Sequence, residues 1–183
     1  EDDVGRIGDL SKVIRWVAVA VCGLLVPCLA ATETPMTIGS PLPSLSAKDQ
    51  DGQIVNLSTF GKEGYLLVFF YPKANTPGCT AQACSLRDGY EDLQKRGVKV
   101  IGVSADNAAS QKKFTTDHKL PYLLLADTEN KIIEAFGVGG LFGFAKRSAF
   151  LFRDGKLIWQ DPKGSTQDQA KVVLDLLATL PAP

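Results

Sequence analysis

An excess of charge of one sign is missing from this chain: Lys+Arg and Asp+Glu number 20 each, for a formal net charge of zero. There is no basic stripe for nucleic acid and no like-charge run, which leaves small molecules or other proteins as partners. Metal-ligating residues are scarce too. Of four cysteines, Cys22 and Cys28 lie in an N-terminal apolar run, so the rest of the chain offers only Cys79, Cys84 and the one histidine, His118. That falls short of the four ligands of a structural zinc, and His118, expected near a helix end, reads as a solvated surface histidine. No CxxC pair is present, and there are no internal repeats and no linker long enough to divide a domain.

What is present begins with "WVAVAVCGLLVPCLAA", Trp16 to Ala31, preceded by Lys12 and Arg15. This run is shorter than the roughly 20 residues of a membrane span and suits a signal-peptide core, with Cys28 and Ala30 as a small-x-small cleavage site. Residues 1–30 are therefore expected to be a signal peptide, which places the protein in the periplasm or an equivalent exported compartment. Glu1, Asp2 and Asp3 are unusual at such a start, so two alternatives stay open: an uncleaved anchor, which would put the protein on a membrane, and a cytoplasmic form starting at Met36. Pro27 and Val21 are poor residues before a lipidated cysteine, which argues against a lipoprotein.

Residues 31–41 form a Pro- and Ser-rich lead-in, and 42–183 one domain of a size that does not need a structural disulfide. "SLSA" and "IVNL" around the Asp51-Gly52 turn predict a hairpin. "YLLVFFY" (65–71) is a continuous apolar run of strand length, as in a central strand covered on both faces. A helix is expected over 77–96, with Cys79, Ala83, Leu86, Tyr90 and Leu93 on one face. Strand 98–105, a helix from the Asn107 cap to about Lys119, strand "LPYLLLAD" and a short helix ended by Gly137 follow. A hairpin turning at Asp154-Gly155 comes next. Ser165 or Thr166 then caps a last helix with Val172, Val173, Leu176, Leu177 and Leu180 inward. The order predicts an α/β fold with a mixed central sheet flanked by helices.

The chemistry concentrates in "FFYPKANTPGCTAQACSLRD", residues 69–88, where four residues separate Cys79 from Cys84. In an intact helix this spacing means about 7.5 Å of rise and a rotation of about 140°. A disulfide needs Cα atoms roughly 4.4–6.8 Å apart with converging Cβ vectors. Either there is no bond, or bonding requires the first turns to unwind. Thr76-Pro77 is a helix start, with Thr as cap and Pro at the first position. Cys79 then meets the positive helix end, which favours a thiolate. It also lies on the core-facing stripe, at the bottom of an expected small pocket, with Cys84 on another face.

The string "Pro72-x-x-x-Thr76-x-x-Cys79" resembles the peroxiredoxin active-site pattern, and "YPKANTPGCTAQACSLRD" is similar to the peroxiredoxin Q, or bacterioferritin comigratory protein, group. The resemblance runs from about Met36 to the C-terminus through "GVSADNAASQKKF", "LPYLLLAD" and "KRSAFLF". It implies a thioredoxin-like fold with an N-terminal β-hairpin. It implies a thiol peroxidase for hydrogen peroxide and organic hydroperoxides, in which Cys79 is the peroxidatic cysteine and Cys84 the resolving one, joined as an intramolecular disulfide. Thr76 would hydrogen-bond thiolate and substrate, Pro72 would shield the site from water, and Arg147 would hold substrate. The resemblance further implies a monomer with no metal, haem or flavin, recycled by thioredoxin or a similar dithiol. Two other readings are a thioredoxin-like thiol-disulfide oxidoreductase, which would want a CxxC, and a non-catalytic redox-sensing or holdase protein.

Overall fold

The computed structural model describes residues 36–180. The expected signal peptide, Cys22, Cys28 and the first part of the lead-in lie outside the described residues. No helix among the described residues is long and apolar enough to cross a membrane.

The chain runs β1 (Ser46–Asp49), β2 (Ile54–Asn56), α1 (Leu57–Phe60), β3 (Tyr65–Phe70), α2 (Pro77–Asp88), α3 (Tyr90–Lys95), β4 (Val98–Ser104), α4 (Ala108–His118) and β5 (Leu123–Ala126). It continues through α5 (Lys131–Ala135), a 3-10 turn (Leu141–Gly143), β6 (Ser148–Arg153), β7 (Lys156–Asp161) and α6 (Gln169–Ala178). The strands make one seven-stranded sheet in the order β2-β1-β5-β4-β3-β6-β7. β3, β4 and β5 are parallel, β6 and β7 continue antiparallel beside β3, and the N-terminal hairpin joins antiparallel beside β5. This is the mixed sheet the element order predicts.

β3 is central because every one of its residues is buried, and alternate residues serve opposite faces. Leu67, Phe69 and Tyr71 join Cys79, Ala83, Leu86, Leu93, Val173 and Leu177 on one side. Leu66, Val68 and Phe70 join Ile132, Ile133, Phe136 and Phe150 on the other. Burying side chains of this size contributes about 1.5–3 kcal/mol each, so both faces hold β3 in register. Its carboxyl end delivers Pro72–Thr76 to the start of α2, on the same face as α6.

Three expectations are corrected. The helix predicted over 77–96 is two helices, broken at Gly89, whose ψ of 5° leaves the helical region. Packing calls for a glycine there: a Cβ on Gly89 would lie 2.6 Å from the Ala170 Cβ of α6. The last helix is entered from Asp168, not from Ser165 or Thr166, and Asp168 makes no side-chain cap bond. Ser165 instead donates its N–H to the Asp161 carboxylate. The hairpin strand β1 runs on through Asp49, whose Oδ1 accepts the N–H groups of Asp51 and Gln53 and so shapes the turn itself. Asn107 caps α4 as expected, accepting from the Ser110 N–H at 2.9 Å.

Candidate active site

Pro77 occupies the first turn of α2, and Thr76 is its extended N-cap residue. The Thr76 side chain makes no cap bond. Its hydroxyl donates to the Lys73 carbonyl at 2.8 Å, closing the loop on itself. The N–H groups of Gly78 and Cys79 have no intrahelical acceptor at such a terminus, and Thr76 does not take them. They face the entry to the helix, where a developing negative charge is stabilised by the helix dipole.

Cys79 is 1% exposed and packs in the core stripe with Ala83 and Leu86. Cys84 is half-buried on another face, and both thiols are free. Two surface cavities of about 520 and 480 Å³ lie elsewhere, and neither is lined by Cys79.

Arg147 enters from the segment before β6. Its Nη2 donates to the Cys79 Sγ at 3.4 Å, and its Nη1 to the Gly78 carbonyl at 3.1 Å and the Gln82 Oε1 at 2.8 Å. One terminal nitrogen of the planar fork is thus anchored on Gly78 and Gln82 while the other rests on sulfur. Gly78 permits this approach, because a Cβ there would sit 3.0 Å from Nη2. The structure therefore brings together Cys79, Arg147 and the Thr76–Pro77 helix start, with Cys84 in the same helix.

Sequence reasoning missed Gln82, fully buried in α2, although a polar residue three places from Cys79 on a buried stripe was a signal. It also missed the support of the loop before α2. The Asp106 Oδ2 accepts the Ala74 N–H at 2.8 Å and the Ser104 hydroxyl at 2.8 Å. Gln111 bridges Ser104 and the Leu125 carbonyl and receives the Tyr71 hydroxyl. Burial pushes the Tyr71 hydroxyl far above its ordinary value, so it stays a donor. His118 stands near the end of α4 as expected, and it has partners there. It is partly buried, its Nε2 lies 3.0 Å from the Asn75 Oδ1, and its ring stands edge-on to Phe114. Asn75 itself sits at a φ of 58°, a conformation Asn tolerates better than most residues.

Such a site, a buried thiol beneath an arginine at the start of a helix on a thioredoxin-like sheet, defines a thiol-based redox protein. Residues 38–160 match the AhpC/TSA family, and the chain belongs to that family. The chloroplastic peroxiredoxin Q of Oryza sativa subsp. japonica is 50% identical over 106 residues, covering 57% of this chain and 48% of that protein. The chain thus spans about half the length of that relative. The peroxiredoxin Bcp of Escherichia coli K12 is 40% identical over 153 residues, 78% of this chain and 96% of that protein. Among solved structures, the Xanthomonas campestris bacterioferritin comigratory protein superposes with a TM-score of 0.70 at 25% identity, covering 78% of this chain and 98% of that one. That structure concerns alkyl peroxide reduction activity and a trapped intermediate/ligand complex.

Proposed function

We propose that this protein is a thiol peroxidase that reduces hydrogen peroxide and organic hydroperoxides through Cys79. The observation that carries the reading is the Arg147 Nη2 donating to the buried Cys79 sulfur at the start of α2, where the Thr76 side chain makes no cap bond. Arginine is a permanent cation, so it stabilises charge on sulfur and on the departing oxygen alike. The alkyl peroxide activity attached to the Xanthomonas campestris relative supports the organic substrates.

The Cys79 thiolate attacks one peroxide oxygen; an S–O bond forms, the O–O bond breaks, and the alkoxide or hydroxide leaves as alcohol or water after taking a proton. The Gly78 and Cys79 N–H groups and Arg147 donate to the oxygens, and Thr76, whose hydroxyl proton goes to the Lys73 carbonyl, offers them an acceptor. The Cys84 thiolate then attacks the sulfenic sulfur; the S–S bond forms, the S–O bond breaks, and the hydroxide takes a proton and leaves as water. Both thiols sit in α2 and both are free, so this step follows unwinding of the helix. A thioredoxin-type dithiol reduces the disulfide by exchange. Thiols and arginine come from one chain, which supports a monomer as the working unit. The reaction as written needs no prosthetic group.

Cys79→Ser is expected to abolish peroxide consumption, and retained turnover would refute the assignment. Mass spectrometry after one equivalent of peroxide is expected to find the Cys79–Cys84 disulfide, whereas only intermolecular dimers would remove Cys84 from the resolving role. The Trp16–Ala31 run supports export. N-terminal sequencing of the native protein is expected to give an end near Ala31, and a start at Met36 would overturn that part.

A further inference from the structure

The Arg147 fork does not end its chain of contacts at Gln82. Arginine carries donors only, so the Gln82 atom 2.8 Å from Nη1 has to be the carbonyl oxygen. That fixes the Gln82 amide, and its Nε2 donates to the Gln169 Oε1 at 3.0 Å. The orientation of the Gln169 amide is set in turn. Both glutamines are 0% exposed, and among the described residues the Gln169 Nε2 has no hydrogen-bond partner. Gln169 is the first residue of α6 and lies beyond residues 38–160, the part of the chain that matches the family.

A buried amide with one half unmet is unfavourable, and an apolar side chain of similar length would fill the same space without that loss. What the amide supplies is its oxygen. Without it, Gln82 would have a buried N–H pair with nowhere to donate, and would be free to turn away from Arg147. We propose that Gln169 is a positioning residue for the peroxidase reaction: its Oε1 holds the Gln82 amide, which holds the Arg147 fork on the Cys79 sulfur. This rests on the reading of Cys79 as the peroxide-reacting thiol. It makes the start of the C-terminal helix a support of the active site.

The contact also reports the state of α2. Gln82 lies between the two cysteines, so unwinding that carries Cys84 toward Cys79 withdraws Gln82 from both Gln169 and Arg147. The fork is then anchored only while the helix is wound, which is when Cys79 meets peroxide.

The test uses the full chain as wild type, Gln169→Met and Gln169→Glu. Glu keeps an acceptor oxygen at the same distance and lacks the orphaned donor; Met keeps length alone. Two quantities are read: the second-order rate of Cys79 with hydrogen peroxide, and the pH profile of iodoacetamide labelling at Cys79, resolved by peptide mass spectrometry. Gln169→Met is expected to slow the peroxide step about tenfold, the rate equivalent of one buried hydrogen bond, and to move the labelling profile to higher pH. Gln169→Glu is expected to restore both. If Gln169→Met behaves as wild type, or if Glu and Met are equally slow, the positioning role is wrong and Gln169 is only packing. Should Gln169→Met fail to fold, Gln169→Asn withdraws the amide from Gln82 by one methylene; it is expected to show the same slowing, and wild-type behaviour there would overturn the proposal. A wild type that consumes no peroxide through Cys79 would sink the underlying assignment.

Discussion

The Tyr122 hydroxyl donates to the Ala83 carbonyl at 2.7 Å, in the stretch of α2 that separates the two cysteines. Tyr122 is 4% exposed, and burial holds its hydroxyl well above its ordinary pKa, so it is a neutral donor across the working pH range. The bond fastens the part of the helix that must open for Cys84 to reach Cys79. A fastening of this kind trades resolution rate against the lifetime of the peroxide-reactive state.

Tyr122→Phe removes the bond and keeps the ring, which stands edge-on to Phe69. The global stability should fall by about 1 kcal/mol, read from denaturant midpoints. Local opening of α2 should become easier by a similar amount. Disulfide formation after a peroxide pulse should then be faster, by about fivefold if the whole loss is local. Stopped-flow and quenched mass spectrometry can follow it. An unchanged resolution rate with lowered stability would show that the Ala83 carbonyl is not released during unwinding.

Arg147 is predicted to be irreplaceable by lysine. Its two terminal nitrogens serve sulfur on one side and Gly78 with Gln82 on the other. A lysine ammonium is a single point and has no planar fork to span those positions. Arg147→Lys and Arg147→Met should both lose about 100-fold or more in the peroxide step. A lysine variant retaining most of the rate would mean that positive charge suffices and the fork geometry is immaterial.

Much of this was legible because it is local. The Thr76-Pro77 start, the stripe of Cys79, Ala83 and Leu86, and the buried run of β3 each follow from a few adjacent residues and one periodicity. Arg147 came from the pattern around "KRSAF", and the structure puts it on the sulfur. What escaped depends on contacts between distant segments. The break falls at Gly89, where Ala170 leaves no room for a Cβ, and a lone glycine in a helical pattern does not announce that. Gln82 meets Gln169 across 87 positions, and His118 meets Asn75 across 43. No spacing rule connects them. The Thr76 hydroxyl went to Lys73 rather than to a helix N–H, a choice between two local acceptors and donors that residue type alone leaves open.

The loop before α2 should depend on Asp106. Its carboxylate takes the Ala74 N–H and the Ser104 hydroxyl, joining the end of β4 to the segment that carries Pro72 and Thr76. Asp106→Ala leaves that N–H and hydroxyl without their acceptor and should destabilise the fold by about 1–3 kcal/mol. The peroxide step should slow, because Thr76 and the Gly78 and Cys79 N–H groups are no longer fixed. Asp106→Asn keeps one acceptor oxygen and should recover part of both losses. Equal damage from Ala and Asn would point to the carboxylate's charge rather than its hydrogen bonds.

Gly89→Ala tests whether α6 supports the site from outside the helix. The added Cβ would lie 2.6 Å from the Ala170 Cβ, and neither atom is the end of a flexible chain, so α2 and α6 must separate. The Ala170 N–H donates to the Ser85 hydroxyl at 3.2 Å, and Gln169 precedes it, so the displacement strikes the contacts by which α6 meets α2. Overpacking of this kind should cost about 1–3 kcal/mol of stability, read by denaturant unfolding. Alanine favours a continuous helix across the Asp88–Tyr90 junction by about 1 kcal/mol relative to glycine, which offsets part of that cost. The peroxide step should slow while Cys79 remains chemically intact and fully alkylated after unfolding. A variant of unchanged peroxide rate would mean that α6 can move away without disturbing the Arg147 fork.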